Sequence, residues 1–323
     1  MPSSSIMLQQ NDRMEARIMI RQTAAAFLDF VEIRTKLATL LPFLIALAYV
    51  LYTTGTINPM STLIYLVAAL LIDMSVTAIN NHFNKREEKV EPHYGSFKSL
   101  AIIGAMLFLA GLLGLTLVYL HGITILLAGL FCVVIGIFYS FGPAPICKSP
   151  YGEVASGFTI GVVIIFIVVS INDPTFVPLG LSFYPQTLLL TMNVDLLGLG
   201  LFGLITLPAV FCVANIMLAN NICDAEADRS LRYTLVHSIG VKNALRLFAG
   251  LYYCSFGAII LAVILRQIPI WCLLVLLTFF PIHKNILRFR EKQSKAETFA
   301  LSVKNNVIIL LAYAFTIALG GLF

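Results

Sequence analysis

Long apolar runs alternate with short polar, charged breaks along almost the whole of this chain. Runs of about 17–25 apolar residues are long enough to cross a bilayer as helices. Nine such runs stand out: 37–54, 61–83, 99–120, 122–141, 154–171, 196–221, 243–265, 268–283 and 303–322. The pattern predicts an all-α polytopic membrane protein with nine transmembrane helices. Over 323 residues, 59% are hydrophobic and 11% charged, and the mean hydropathy is +0.93. That composition excludes an ordinary soluble domain. No cleavable signal peptide is expected, because the first stretch is polar and carries Arg13, Arg17 and Arg21 with no apolar core.

Charge placement supports the helix count. The chain has 21 Lys and Arg residues, and with nine alternating spans only Arg266 falls in a loop on the second face. By the positive-inside rule the basic face is cytoplasmic, so the N-terminus lies inside, the C-terminus outside, and the host bilayer is the plasma membrane. An extra or missing span would scramble this alternation. The six cysteines form neither a CxxC pair nor a Cys/His cluster, which argues against a zinc site or a disulfide framework. Nothing points to a nucleic-acid partner.

One polar pattern occurs twice on the basic face. At the end of the second span it reads Asn80-Asn81-x-x-Asn84-x-x-x-Glu88, and at the end of the sixth Asn220-Asn221-x-x-Asp224-x-x-x-Asp228. Positions i, i+4 and i+8 share a helix face, so each copy lays a ladder of oxygen donors along one stripe. Such groups at the mouth of a membrane span are costly unless they bind something. Oxygen ligands suit Mg²⁺, and Mg²⁺ suits a diphosphate. The metal-ligand candidates are Asn80, Asn84, Glu88, Asn220, Asp224 and Asp228; Glu226 points elsewhere. The competing reading is a solvated acidic helix end. His82 is read as an interface residue rather than a phosphate ligand. The repetition suggests two halves, about 25–142 and 152–283, followed by a ninth helix at 303–322, all within one domain covering 1–323.

Cations on the same face are candidates for diphosphate oxygens: Arg34, Lys36, Arg86, Lys148, Arg229 and Arg232. Arg suits bidentate contacts and Lys a point charge. For each, the alternative is a positively charged flank. Between the fourth and fifth spans runs Tyr139-Ser140-Phe141-Gly142-Pro143-Ala144-Pro145-Ile146-Cys147-Lys148-Ser149-Pro150-Tyr151-Gly152-Glu153, a rigid, irregular connection. Tyr139 and Glu153 could bind or deprotonate a hydroxylated aromatic ring; the alternative for Glu153 is a dipole-favoured first-turn residue. The outer segment 172–195, with Pro174, Pro178 and Pro185, reads as a structural connector.

From Arg34-Thr35-Lys36 to the last span, the chain resembles the UbiA superfamily of intramembrane prenyltransferases. The two ladders resemble its paired Asp-rich motifs. Asn220-Asn221…Asp224…Asp228 with Thr234-Leu235 and Gly240, the Tyr139-to-Glu153 connection and Arg34-x-Lys36 resemble the 1,4-dihydroxy-2-naphthoate prenyltransferase branch of menaquinone synthesis. The resemblance implies a nine-helix bundle with a cytoplasmic active-site mouth and Mg²⁺ bridging both motifs to an isoprenyl diphosphate. It further implies prenylation of the dihydroxynaphthoate to demethylmenaquinone, with release of CO2 and diphosphate, and catalytic roles for Asp224, Asp228, Asn80, Asn84, Tyr139 and Glu153. The first motif departs from the usual Asn-x-x-x-Asp-x-x-x-Asp, having Asn84 and Glu88 in place of two aspartates. After the second, Leu231-Arg232 stands where the family has Gly-Lys. A different aromatic acceptor, a catalytically weakened relative and a transporter are the alternatives. A transporter would place its polar residues near the bilayer midplane, whereas most mid-span positions here are apolar.

Overall fold

The computed structural model describes residues 23–87, 94–176, 178–184, 186–187, 189–229 and 232–322, and for residues 34, 84–87 and 183 the backbone alone. Among the described residues nine helices are long and apolar enough to span a membrane. They are α1 (Leu37–Thr54), α2 (Pro59–Glu87), α3 (Ser96–His121), α4 (Ile123–Ser140), α5 (Gly152–Asn172), α6 (Leu196–Cys223), α8 (Val241–Ile264), α9 (Ile270–Glu291) and α10 (Phe299–Gly320). A short helix, α7 (Leu235–Ile239), precedes α8. Every expected span is present, with ends shifted by a few residues. The breaks follow local chemistry. Gly55 closes α1 at φ 69°, a left-handed conformation open to glycine. Asp195 caps α6 by accepting a hydrogen bond from the Gly198 amide at 3.0 Å.

The connector between α5 and α6 has regular structure of its own. It holds an antiparallel hairpin, β1 (Leu179–Tyr184) and β2 (Leu189–Val194), in register from Leu179 opposite Val194 to Tyr184 opposite Leu189.

The main core joins α1, α5, α6, α8, α9 and α10 around side chains such as Ile45, Ile165, Leu218, Tyr252, Ile286 and Tyr313. The α5–α6 contact is close. A Cβ on Gly157 would lie 2.8 Å from the Val210 carbonyl oxygen, and one on Gly161 would lie 2.6 Å from the Val210 nitrogen. Small residues at i and i+4 let two membrane helices touch backbone to backbone. Within α5 the stretch Thr159–Val163 is a π-turn; such insertions often occur where a helix wall serves a site. By contrast, α4 buries only Ile125 and Ser140. One face of α4 lines a cavity, and much of the rest is exposed apolar surface suited to lipid.

Candidate active site

The cavity lies between α2, α3, α4 and α5, has a volume of about 660 Å³ and is mostly apolar. Its polar end is built from α2 upward. Asp73, Thr77 and Asn80 fall at i, i+4 and i+7, on one stripe, and all three line the cavity. The Lys36 ammonium docks on this stripe, 2.7 Å from Asp73 Oδ1, 2.6 Å from Thr77 Oγ1 and 3.2 Å from the Asp73 carbonyl oxygen. Thr39 donates to Asp73 Oδ2 at 2.6 Å. A charged pair in a membrane span persists only when paired inward or functional, and this pair is turned inward.

From α4, Tyr139 and Ser140 close the cavity, and Tyr139 faces Ser156 on α5. The chain then turns at Gly142, φ 118°, before the short turn Ile146–Lys148. From α5, Ser156, Thr159 and Ile160 complete the wall. The contribution of α6 to the wall is Met217, one turn before the Asn220-Asn221 pair.

Beyond Met217 the second ladder takes shape. It is not one continuous helix as the spacing predicts. Helix α6 ends at Cys223, and residues 224–229 form turns. Backbone bonds keep the four-residue spacing: the Asp228 amide donates to the Asp224 carbonyl at 2.8 Å, and the Arg232 amide to the Asp228 carbonyl at 2.9 Å. Two anchors hold this loop. The Tyr233 amide donates to the Lys148 carbonyl at 3.1 Å, and His237, in a capping box with Thr234, lies 3.0 Å from the Ala225 carbonyl.

A sequence model of the UbiA prenyltransferase family matches residues 39–306. The chain belongs to that family. It is 31% identical over 153 residues to the 1,4-dihydroxy-2-naphthoate octaprenyltransferase of Bacillus subtilis (strain 168). That match covers 47% of this chain and 42% of the relative, less than half of each. A UbiA homologue from Archaeoglobus fulgidus bound to GPP and Mg²⁺ superposes with a TM-score of 0.62 at 15% identity, covering 91% of this chain and 99% of that one. The apo UbiA homologue from Aeropyrum pernix K1 gives 0.61 at 18% identity, over 84% and 96%. At these identities the structural likeness shows the fold alone.

In this UbiA-family chain the expected site residues fall into three groups. Asn80 and Tyr139 line the cavity. Around the second ladder, Asp228 is buried, with Arg232 Nε 3.5 Å from its Oδ1 and, among the described residues, no partner on Oδ2. Asp224 is paired with Lys295 from the α9–α10 connection. Asn220 is half-buried at the end of α6, Arg229 is exposed, and Lys148 is half-buried in the loop below α4. The remaining residues are engaged within the fold or lie outside the described part. Glu153 is buried off the cavity wall, with Oε1 accepting from Asn221 Nδ2 at 2.8 Å. Asn81 holds the segment before α1, donating to the Phe30 carbonyl at 3.0 Å. His82 is buried against Phe83, not placed at the interface. Lys36, assigned to phosphate from sequence, has its three N–H groups engaged by Asp73 and Thr77. Glu88 lies outside the described residues, as do the side chains of Arg34, Asn84 and Arg86.

Two participants were not anticipated. Lys295 gave no signal beyond being one of many basic residues. Asp73 did: it sits two turns before Asn80 on the same stripe, so the first ladder reaches deeper into the membrane than its motif. Spans judged apolar also hide Asn215, Asn305 and Asn306, all buried.

Among the described residues no group of three His, Cys, Asp or Glu gathers for a metal. The donors present nonetheless fit a hard divalent cation in partnership with a ligand: all are oxygens, and Asp228 Oδ2 is buried without a partner.

Proposed function

We propose that this protein transfers an isoprenyl group from a polyprenyl diphosphate to 1,4-dihydroxy-2-naphthoate, with Mg²⁺ and with release of diphosphate and CO2. The observation that carries the reading is the division of the site. A mostly apolar cavity suits a prenyl chain and an aromatic ring, and Met217 on its wall leads into the second ladder, whose oxygen donors suit a metal-bound diphosphate. The family membership, the naphthoate-prenylating relative from Bacillus subtilis and the fold shared with a homologue bound to GPP and Mg²⁺ all support it.

In this reading Asp224, Asp228, Asn220, Asn80, Asn84 and Glu88 hold Mg²⁺, which supplies charge neutralisation to the leaving diphosphate. Arg232, Arg229, Lys148, Arg86 and Arg34 supply further positive charge. Lys295 holds Asp224 until the substrate arrives. The C–O bond to diphosphate breaks, leaving an allylic cation that the dry cavity shields from water. Tyr139, at the head of the cavity, faces that cation with an electron-rich ring. The ring carbon bearing the carboxylate attacks and forms the new C–C bond. Loss of CO2 returns the electron pair to the ring and restores aromaticity. Glu153 acts through Asn221, fixing the end of α6 from which the second ladder projects. The mouth lies on the cytoplasmic side, with the N-terminus inside and the C-terminus outside.

The test is acceptor-dependent diphosphate release by purified protein. Release should need both Mg²⁺ and the naphthoate, stop with EDTA, and vanish in Asp228→Ala and Asp224→Ala while both variants remain folded. A wild-type rate in either variant would refute the assignment of the second ladder.

A further inference from the structure

The Lys36–Asp73 pair is more than scaffold. Replacing a buried ion pair by apolar side chains is often neutral or stabilising, so stability alone is a weak reason for one here. The two members are not equivalent. The Lys36 side chain is 3% exposed and its ammonium donates to three oxygens, whereas the Asp73 side chain is 24% exposed and lines the cavity. Asp73 Oδ1 accepts from Lys36 and Oδ2 from Thr39. A carboxylate offers about four lone-pair positions, so each oxygen keeps accepting capacity.

Surroundings narrow the ligand. Ala68, Ala69 and Ile72 line the cavity beside Asp73, and the first two are small enough to leave room. Glu32 lines the same cavity. A carboxylate repels an anionic group, so what approaches Asp73 is a neutral donor. Along α2, Asp73 lies about 10 Å from Asn80 by helix rise. The dihydroxylated ring with its carboxylate, together with a hydrogen bond from the 4-hydroxyl to Asp73, spans most of that gap. With its hydroxyl on Asp73, the opposite edge of the ring meets the polar mouth, where the allylic carbon forms.

Building on the function proposed above, we propose that Asp73, held by Lys36 and Thr39, accepts a hydrogen bond from a ring hydroxyl of the aromatic acceptor. It thereby selects hydroxylated rings and turns the acceptor's own carboxylate towards the basic mouth. Asp73 contacts substrate; Lys36 and Thr39 are positioning residues.

The test compares 1,4-dihydroxy-2-naphthoate with each of its two mono-methyl ethers, in the full-length wild type and in the double variant Asp73→Leu/Lys36→Met, which keeps no side-chain acceptor at position 73. The double change leaves no unpaired buried lysine. Wild type should show a KM about tenfold higher for one ether, the cost of leaving a buried acceptor without its donor. The double variant should lose most of that discrimination, with the KM for the prenyl diphosphate unchanged. An unaltered discrimination in the folded double variant overturns the inference. So does a wild type that treats both ethers like the parent, which decides the matter even if the double variant fails to fold. Wild type that turns over no dihydroxynaphthoate would overturn the proposed function as well, whereas normal turnover with unaltered discrimination removes Asp73 alone.

Discussion

Asp228 carries the sharpest residue-level prediction. Its buried Oδ2 has no partner among the described residues, an arrangement that costs stability unless a ligand completes it. Asp228→Asn should therefore fold at least as well as wild type while losing activity; a combined thermal melt and rate assay checks both. Lys36 behaves oppositely. Lys36→Met would strand Asp73 and should cost about 3 kcal/mol, the low end for breaking a buried pair because Asp73 reaches the cavity. Thermal unfolding in detergent measures it. At this scale sequence and structure part company. Asn80, Asp228 and Tyr139 are legible because motif spacing and helix ends expose them. Asp73 is hidden inside an apolar run, and Lys295 acts through a tertiary approach that no local pattern encodes. Asn81 looks like chemistry in the sequence, yet its amide is spent on the segment before α1; Glu153 gives one oxygen to Asn221 and keeps the other buried without a partner among the described residues.

The helices themselves are almost fully legible, since bilayer thickness fixes their length and apolarity marks their extent. What the pattern misses are places where backbone geometry departs from a regular period. The π-turn in α5, the end of α6 before Asp224 and the β1–β2 hairpin each depend on tertiary packing or turn chemistry. The α5–α6 seam gives a prediction: Gly161→Ala pushes a Cβ to 2.6 Å from the Val210 nitrogen. Overpacking of that kind should cost about 1–3 kcal/mol, read as a lower melting temperature, with activity falling further because Thr159 and Ile160 line the cavity. On the opposite wall, Gly114 and Gly129 have open space where a Cβ would stand. Gly129→Phe should depress turnover of long prenyl donors more than short ones, measured as a ratio of rates across donor lengths.

Over the whole molecule, the asymmetry of charge predicts the orientation. A single cysteine at Ser294, in an otherwise cysteine-free protein, should resist a membrane-impermeant maleimide added to intact cells. One at Thr187, in the hairpin loop, should react. The reverse labelling would invert the topology and put the active-site mouth on the wrong side for a cytoplasmic substrate. The same asymmetry puts both ladders and nearly all the cations on one face of the chain, and on that gathering the functional reading depends. Its most direct test is mass spectrometry of the product formed from 1,4-dihydroxy-2-naphthoate and a panel of isoprenyl diphosphates with Mg²⁺. The account predicts a product with the mass of acceptor plus prenyl group minus CO2, absent with EDTA. A prenylated product that keeps its carboxylate, or none from folded protein with any donor, would contradict it.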